Sequence, residues 1–279
     1  MSNRWLKKRM DRADMDAMIA EFVAAAERAR RAGFDAVELH MGHGYLLSQF
    51  ISKFYNSRRD DYGGAIERRV RFPSEVLGRV LDAVGKDLAV LVKFSMTDGK
   101  AGGNTIEDGV AVARAIEAEG AHMAVLSNGM NVESITAMFG SPFPKSNRAR
   151  PANPIIALGM WLQALSEPKD VVFHENYLRD LALRIRRSVK MPLAYLGGVQ
   201  SLDGVEQAMA DGFDVVALGR ILIHDADIIN RFRDGSERRS GCTACNLCVT
   251  MMYSPGGTAC VLTGGVDAAL TRIPASAVG

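Results

Sequence analysis

The sequence predicts an α/β protein built from parallel βα units, and three observations carry that prediction. Helix-like and strand-like segments alternate strictly along the chain. Every strand segment is short and apolar. Three of the strands end in chemically distinctive residues, ELH, YLGG and ALGR. Short apolar strands alternating with amphipathic helices call for a parallel sheet covered by helices. Two architectures meet that demand, a doubly wound sheet and a (β/α)8 barrel, and both place their sites at strand C-termini. No GxGxxG follows any strand, which weakens the dinucleotide-binding form of the doubly wound sheet.

The elements follow in order. Residues 14–32 (DMDAMIAEFVAAAERARRA) carry apolar side chains at helical spacing and stop at Gly33. DAVELH (35–40) reads as the first strand, and 65–84 as a second amphipathic helix. LAVLVKFS (88–95) is a strand with both faces apolar. IEDGVAVARAIEAEG (106–120) is a helix stopped by Gly120, and HMAVLS (122–127) a strand. Residues 128–173 are irregular and rich in Pro and Gly, with one helix-like patch near IIALGMWLQAL. NYLRDLALRIRRSV (176–189) is a helix and PLAYLGG (192–198) a strand. SLDGVEQAMADG (201–212) is a helix with Ser201 suited to its N-cap. FDVVALGR (213–220) is a strand, and a last helix lies near 225–233. That makes five strands, where a complete barrel has eight and about 250 residues. The thirty-four residues before the first strand hold a single helix and cannot supply three more βα units.

Composition excludes several classes of function. The chain has 279 residues, 48% apolar and 24% charged, enough for one sizeable core. Net charge is +2 with both signs interspersed, so nothing points to nucleic acid or a membrane surface. No apolar run approaches the roughly 20 residues of a membrane helix. MSNRWLKKRMDRADM has no apolar core behind its positive charge, so no secretory signal is read and a cytoplasmic address is expected.

The chemistry concentrates in a few places. VELHMGHGYLL (37–47) holds His40, His43 and Tyr45. Zinc-binding pairs on helices are spaced i, i+4, whereas here the spacing is three with Gly42 between. At a strand end, both rings can point into one mouth and donate N–H groups to a substrate oxygen, with the Tyr45 phenol offering a proton. Spacing alone leaves open a core role for His40 and a loop role for His43. NSRRDDYGGAIERRVRF (56–72) is dense in charge and reads as a brace for the histidine loop. Lys93, in the middle of LVKFS, needs an anionic partner, either a ligand at the mouth or a solvated strand end. Gly197-Gly198 and Gly219-Arg220 close two consecutive strands, where glycine lets a phosphate reach backbone N–H groups and arginine adds a cation. All four cysteines fall in one cluster: Cys242-x-x-Cys245-x-x-Cys248, then Cys260 after eleven residues. Such crowding suits a zinc ion or a [4Fe–4S] cluster rather than a disulfide framework, and the three close cysteines favour the cluster.

At this point GFDAVELHMGHGYLLSQFISKFYNSRRDDYGGAIERRVRF resembles the fourth-strand region of the Old Yellow Enzyme family of flavin oxidoreductases, which includes NADH:flavin oxidoreductases and 2,4-dienoyl-CoA reductases. LVKFS, YLGG and VVALGR follow in the family's order, and the cysteine run resembles the iron–sulfur motif of its cluster-bearing reductases. The resemblance covers residues 8–262 and implies a (β/α)8 TIM-type barrel that is N-terminally truncated, with five of eight βα units present. It implies FMN as cofactor, NAD(P)H as reductant, and a hydride passed to an activated alkene such as an enone, or to a quinone. His40 and His43 would hold the acceptor's carbonyl oxygen and Tyr45 would protonate the carbon beside it. Lys93, more often arginine in the family, would sit near the flavin ring. Gly197, Gly198, Gly219 and Arg220 would take the FMN phosphate. Cys242, Cys245, Cys248 and Cys260 would hold the [4Fe–4S] cluster, with zinc as the alternative.

There are departures. The family's first three βα units are absent, which leaves the first strand with an open edge. The chain is thus expected to be a fragment of a longer protein or to be completed by a second copy. Arg68 stands where the family usually has asparagine. No dinucleotide-binding domain follows the cysteines, so residues 1–262 are expected as one partial barrel, with 242–260 as its cysteine-rich segment and 263–279 as a tail. Two other functions fit parts of the pattern. One is a non-catalytic barrel fragment stapled by a structural metal site of four cysteines. The other is an aldolase or isomerase using Lys93 as a Schiff base, against which the paired imidazoles argue.

Overall fold

The computed structural model describes residues 9–142, 171–251 and 257–263. Helix α1 (Arg12–Arg31) opens on a reciprocal cap: the Asp11 carboxylate accepts from the Asp14 N–H, and the Asp14 carboxylate accepts from the Asp11 N–H. Its buried Met15, Ile19 and Ala26 pack toward α4 (Arg71–Val84), whose Val76, Leu77 and Val80 are fully buried.

Five strands follow: β1 (Ala36–Met41), β2 (Ala89–Ser95), β3 (Met123–Ser127), β4 (Leu193–Tyr195) and β5 (Val215–Val216). They form one parallel sheet in the order of the chain, β1-β2-β3-β4-β5. A doubly wound sheet reverses its order at a switch point, so the sequential order selects the barrel wall. The fold is five consecutive units of a (β/α)8 barrel. Among the described residues, β1 pairs only with β2 and β5 only with β4.

Alternation across the strands separates two faces. Val90, Val92 and Phe94, with Ala124, Leu126 and Leu193, are completely buried against the helices. The opposite face carries one continuous row in register: His40, Lys93, Val125, Ala194 and Val215. Eight strands would close over such a row and fill it with side chains. Here the arc is open, and Lys93 and His40 are only partly buried while Val215 is exposed.

Several segments differ from the sequence expectation. The helix expected over 65–84 is two helices, α3 (Ile66–Arg69) and α4. Pro73 has no N–H for the Arg69 carbonyl and its ring would collide with it, so the ladder must restart at Val70. Within the stretch read as irregular, Ile135–Phe139 forms a short helix, α6, which comes after α5 (Ile106–Glu119). The helix-like patch near 155–165 lies outside the described residues, as does the tail from 264 onward. Strands β4 and β5 are three and two residues long, shorter than the expected 192–198 and 213–220. Gly198, at φ +76°, takes the chain out of the extended region. Gly219 and Arg220 are not strand residues but the cap and first residue of a helix, Arg220–His224. The expected Ser201 cap is present, its hydroxyl accepting from the Gly204 N–H. Among the described residues no helix is long and apolar enough to cross a membrane.

Candidate active site

The histidine loop is fixed from three sides. Gly42 follows β1 so closely against β2 that a Cβ there would lie 3.1 Å from the Ser95 Oγ and 3.3 Å from its nitrogen. Only glycine permits that approach without displacement. His43 then takes a left-handed conformation, φ 62°, rare for a residue with a Cβ. Its N–H donates to the Ser95 Oγ at 3.1 Å, and its carbonyl accepts from the Asn131 N–H at 3.2 Å. The Ser95 hydroxyl in turn donates to the Gly129 carbonyl at 2.9 Å. Tyr45 caps α2 (Leu46–Ile51), which is tied back to the loop by the Gln49 side-chain amide donating to the Gly44 carbonyl at 2.7 Å.

This backbone brings the three expected side chains together. The His40 and His43 ring centroids are 4.9 Å apart, and those of His40 and Tyr45 are 5.3 Å apart. Tyr45 is 54% exposed. The His43 Nε2 stands 2.7 Å from the Ser127 Oγ at the end of β3. Burial pushes the His40 pKa down, with Lys93 acting the same way and Glu38 opposing. Burial, then His40, then Lys93 lower His43 from 6.5 to about 3. Both imidazoles are therefore neutral at pH 7, each with one N–H to give.

Lys93 has its anionic partner. Its Nζ lies 3.0 Å from Glu38 Oε1, on the neighbouring strand and the same face as His40. Sequence reasoning passed over Glu38, although the strand's two-residue period puts it on the His40 face. The charged segment 56–72 contacts the end of α2 rather than the histidine loop itself. Buried Arg69 donates to the Ile51 carbonyl at the end of α2, to Asn104 Oδ1 at 2.6 Å, to the Gly64 carbonyl at 2.9 Å, and to Asp108 at 2.8 Å at the start of α5.

The glycine pairs leave adjacent strands β4 and β5 and so share one corner of the sheet. A Cβ on Gly197 would strike the Tyr195 hydroxyl, and one on Gly198 the rings of Tyr177 and Phe173. Gly219 opens onto free space. The Tyr195 hydroxyl is buried beside Leu178, and burial pushes its pKa up, so it keeps its proton. Arg220 does not point free into this corner. Its guanidinium donates to Asn246 Oδ1 at 2.6 Å and to the Phe139 carbonyl at 2.9 Å, and it lies over the Phe139 and Phe173 rings.

Cys242, Cys245, Cys248 and Cys260 line one small pocket together with Arg220. Burial raises the Cys242 and Cys248 thiol pKa values. Asn246, left-handed at φ 60° and fully buried, anchors the segment by donating to the Ser141 carbonyl and hydroxyl at 3.1 and 2.9 Å. His224 Nδ1 lies 3.3 Å from the Cys260 sulfur. Among the described residues, no three His, Cys, Asp or Glu side chains are grouped as a single metal ion would need. The expected residues thus fall into two groups: the histidine mouth with Lys93 on β1 and β2, and the glycine–arginine–cysteine corner beyond β4 and β5.

Residues 1–164 match the NADH:flavin oxidoreductase / NADH oxidase family. The chain is 33% identical over 251 residues to a 4,4'-dithiodibutanoate disulfide reductase of Rhodococcus erythropolis, a match that takes in 90% of this chain and 62% of that protein. Its fold overlays that of 6-hydroxypseudooxynicotine amine oxidase from Pseudomonas geniculata N1 with a TM-score of 0.68 and 26% identity, over 87% of this chain and 32% of the other. It also overlays an old yellow enzyme homologue from Zymomonas mobilis with a TM-score of 0.60 and 22% identity, over 85% and 56% of the two chains, a likeness of fold alone. In each case this chain spans less than two thirds of its relative.

Proposed function

This chain belongs to the NADH:flavin oxidoreductase / NADH oxidase family, and we propose that it carries the acceptor-binding half of a flavin-dependent reductase whose acceptor is an activated alkene such as an enone. One observation carries the reading: two neutral imidazoles 4.9 Å apart, with a phenol beside them, at the C-terminal end of a barrel strand. FMN, reduced by NAD(P)H, would supply the hydride. Lys93, Gly197, Gly198, Gly219 and Arg220 would hold it. The open main chain at Gly219 fits an anionic group at that corner.

This chain's own residues would do the rest. His40 and His43 each donate an N–H to the acceptor's carbonyl oxygen. When the β-carbon takes the hydride, the alkene's π electrons move toward that oxygen and negative charge gathers on it. Donors already in place stabilise the charge, and one such donor is worth about 10²–10³ in rate. Tyr45 gives its phenolic proton to the α-carbon, and its exposure lets water return that proton. The saturated ketone leaves with one hydride and one proton added.

The four thiols around one pocket would be the donor set of a [4Fe–4S] cluster. Zinc, which takes four thiolates at about 2.3 Å, is the alternative occupant. A second acceptor class is favoured by the disulfide reductase similarity, namely a small organic disulfide.

The test is direct. The purified chain is titrated with FMN and its flavin absorbance recorded, then assayed with NADPH against cyclohexenone, a quinone and 4,4'-dithiodibutanoate, with iron, sulfide and zinc measured on the same sample. Enone reduction supports the reading. Bound metal with no flavin uptake would overturn it in favour of a non-catalytic barrel with a structural metal site.

A further inference from the structure

We infer that Ser127 is a positioning residue that holds His43 in the tautomer with its proton on Nδ1, so that this imidazole presents an N–H to the acceptor. The inference rests on the acceptor-binding role proposed above for His43.

The argument is a proton count. Ser127 ends β3 and is 1% exposed, so water does not reach its hydroxyl. That hydroxyl makes one hydrogen bond, to His43 Nε2 at 2.7 Å, and has no other partner among the described residues. A neutral imidazole carries one N–H and one lone pair, and a hydroxyl can serve either. Were Nε2–H the donor, the hydroxyl's own proton would be buried with no acceptor, and unmade buried hydrogen bonds are costly. The hydroxyl therefore donates to Nε2, the lone pair is used there, and the ring's proton sits on Nδ1. Nδ1 has no protein partner among the described residues and is the nitrogen left for a ligand.

A second serine keeps the ring in place for this. Ser95 and Ser127 are register partners at the ends of β2 and β3. The Ser95 hydroxyl accepts from the His43 main-chain N–H, while Ser127 takes the ring. One serine sets the backbone and the other sets the proton. The titratable and charged groups acting on His43 are His40 and Lys93, and both favour the neutral ring that has tautomers to choose between.

The experiment reads the tautomer itself. Flavin-free protein labelled with ¹⁵N-histidine is examined by NMR at pH 7, with His43 assigned by its absence in His43→Asn. The wild type is expected to show a pyrrole-type Nδ1 and a pyridine-type Nε2. Ser127→Ala is expected to move His43 toward the Nε2–H form, and Ser127→Thr, which keeps the hydroxyl, to restore the wild-type pattern. An Nε2–H form in the wild type, or no change in Ser127→Ala, overturns the inference. Circular dichroism of both variants checks that the fold is retained. If the tautomer reads as expected but no enone is reduced, the proposed function fails and the Ser127 assignment stands. If reduction is observed, Ser127→Ala should lower kcat by up to about 10²-fold with little change in KM, and Ser127→Thr should recover it.

Discussion

His43 should make the protein acid-sensitive in a way that one substitution removes. Its pKa falls from 6.5 in the unfolded chain to about 3 in the fold. Above pH 6.5 both states are neutral there, and the perturbation has no effect. Below it the unfolded chain takes a proton that the folded site refuses, so stability drops as pH falls, until the folded site protonates too near 3. Linkage gives a loss of about 2 kcal/mol between pH 7 and pH 5, and about 5 kcal/mol as the limiting value. Asn is the replacement of choice, because it stays neutral and tolerates the left-handed φ of 62°. Urea-unfolding free energies of wild type and His43→Asn at pH 7 and pH 5 isolate the effect, since the other carboxylates and histidines largely cancel in the difference. The wild type should lose about 2 kcal/mol more than the variant over that interval. Parallel pH dependences would refute the reasoning, because a ring that titrates normally is neither desolvated nor held neutral beside His40 and Lys93.

Three further outcomes follow from the same geometry. Arg69→Met should destabilise the fold by about 1–3 kcal/mol in urea titration, since it removes the donor to the Gly64 carbonyl and one of the donors to buried Asn104 and partly buried Asp108; a loss below about 0.5 kcal/mol would mean those acceptors find water instead. Tyr45→Phe should leave the unfolding midpoint unchanged, because the side chain is 54% exposed, while lowering enone turnover by about 10²–10⁴. Equal turnover would remove Tyr45 from the proton-donor role. Asn246→Ala should cost about 1–3 kcal/mol through the Ser141 carbonyl and the Arg220 N–H that lose their partner, and should lower bound metal per chain. Unchanged metal content would show that the cysteine segment holds its shape without that anchor.

Much of this architecture was legible because it is periodic. Apolar strands at intervals set by helices require a parallel sheet, and the sequence shows five of them. The histidine mouth was legible because its three side chains lie within six residues of each other, so the local backbone alone brings them together. What escaped was of two kinds. Glu38 and the helix break at Pro73 obey rules that apply to any strand or helix, the alternation of faces and the missing N–H, and were available to closer reading. Ser95 and Ser127 were not. They stand 52 and 84 residues from His43 in the chain, and only the parallel register puts their hydroxyls at its backbone and its ring.

Arg220 belongs to that second kind, and its placement changes what the corner beyond β5 can do. The sequence pairs it with Gly219 as a phosphate clamp. In the fold, two of its N–H groups are given to Phe139 and Asn246, which lie 81 residues before and 26 residues after it. Asn246 is also one of the two residues between Cys245 and Cys248 and the anchor of the cysteine segment. A phosphate arriving at Gly219 would therefore compete with Asn246 for the same guanidinium, or share it. If competition wins, occupancy of that corner by an anion and of the cysteine pocket by metal would be linked through one cation. Such linkage is reciprocal, so metal bound to the cysteines would alter the affinity of the corner for an anion by the same factor that the anion alters the affinity for metal. Phosphate binding measured with and without metal, in wild type and in Asn246→Ala, reads that factor, and a ratio of one in the wild type would dissolve the link.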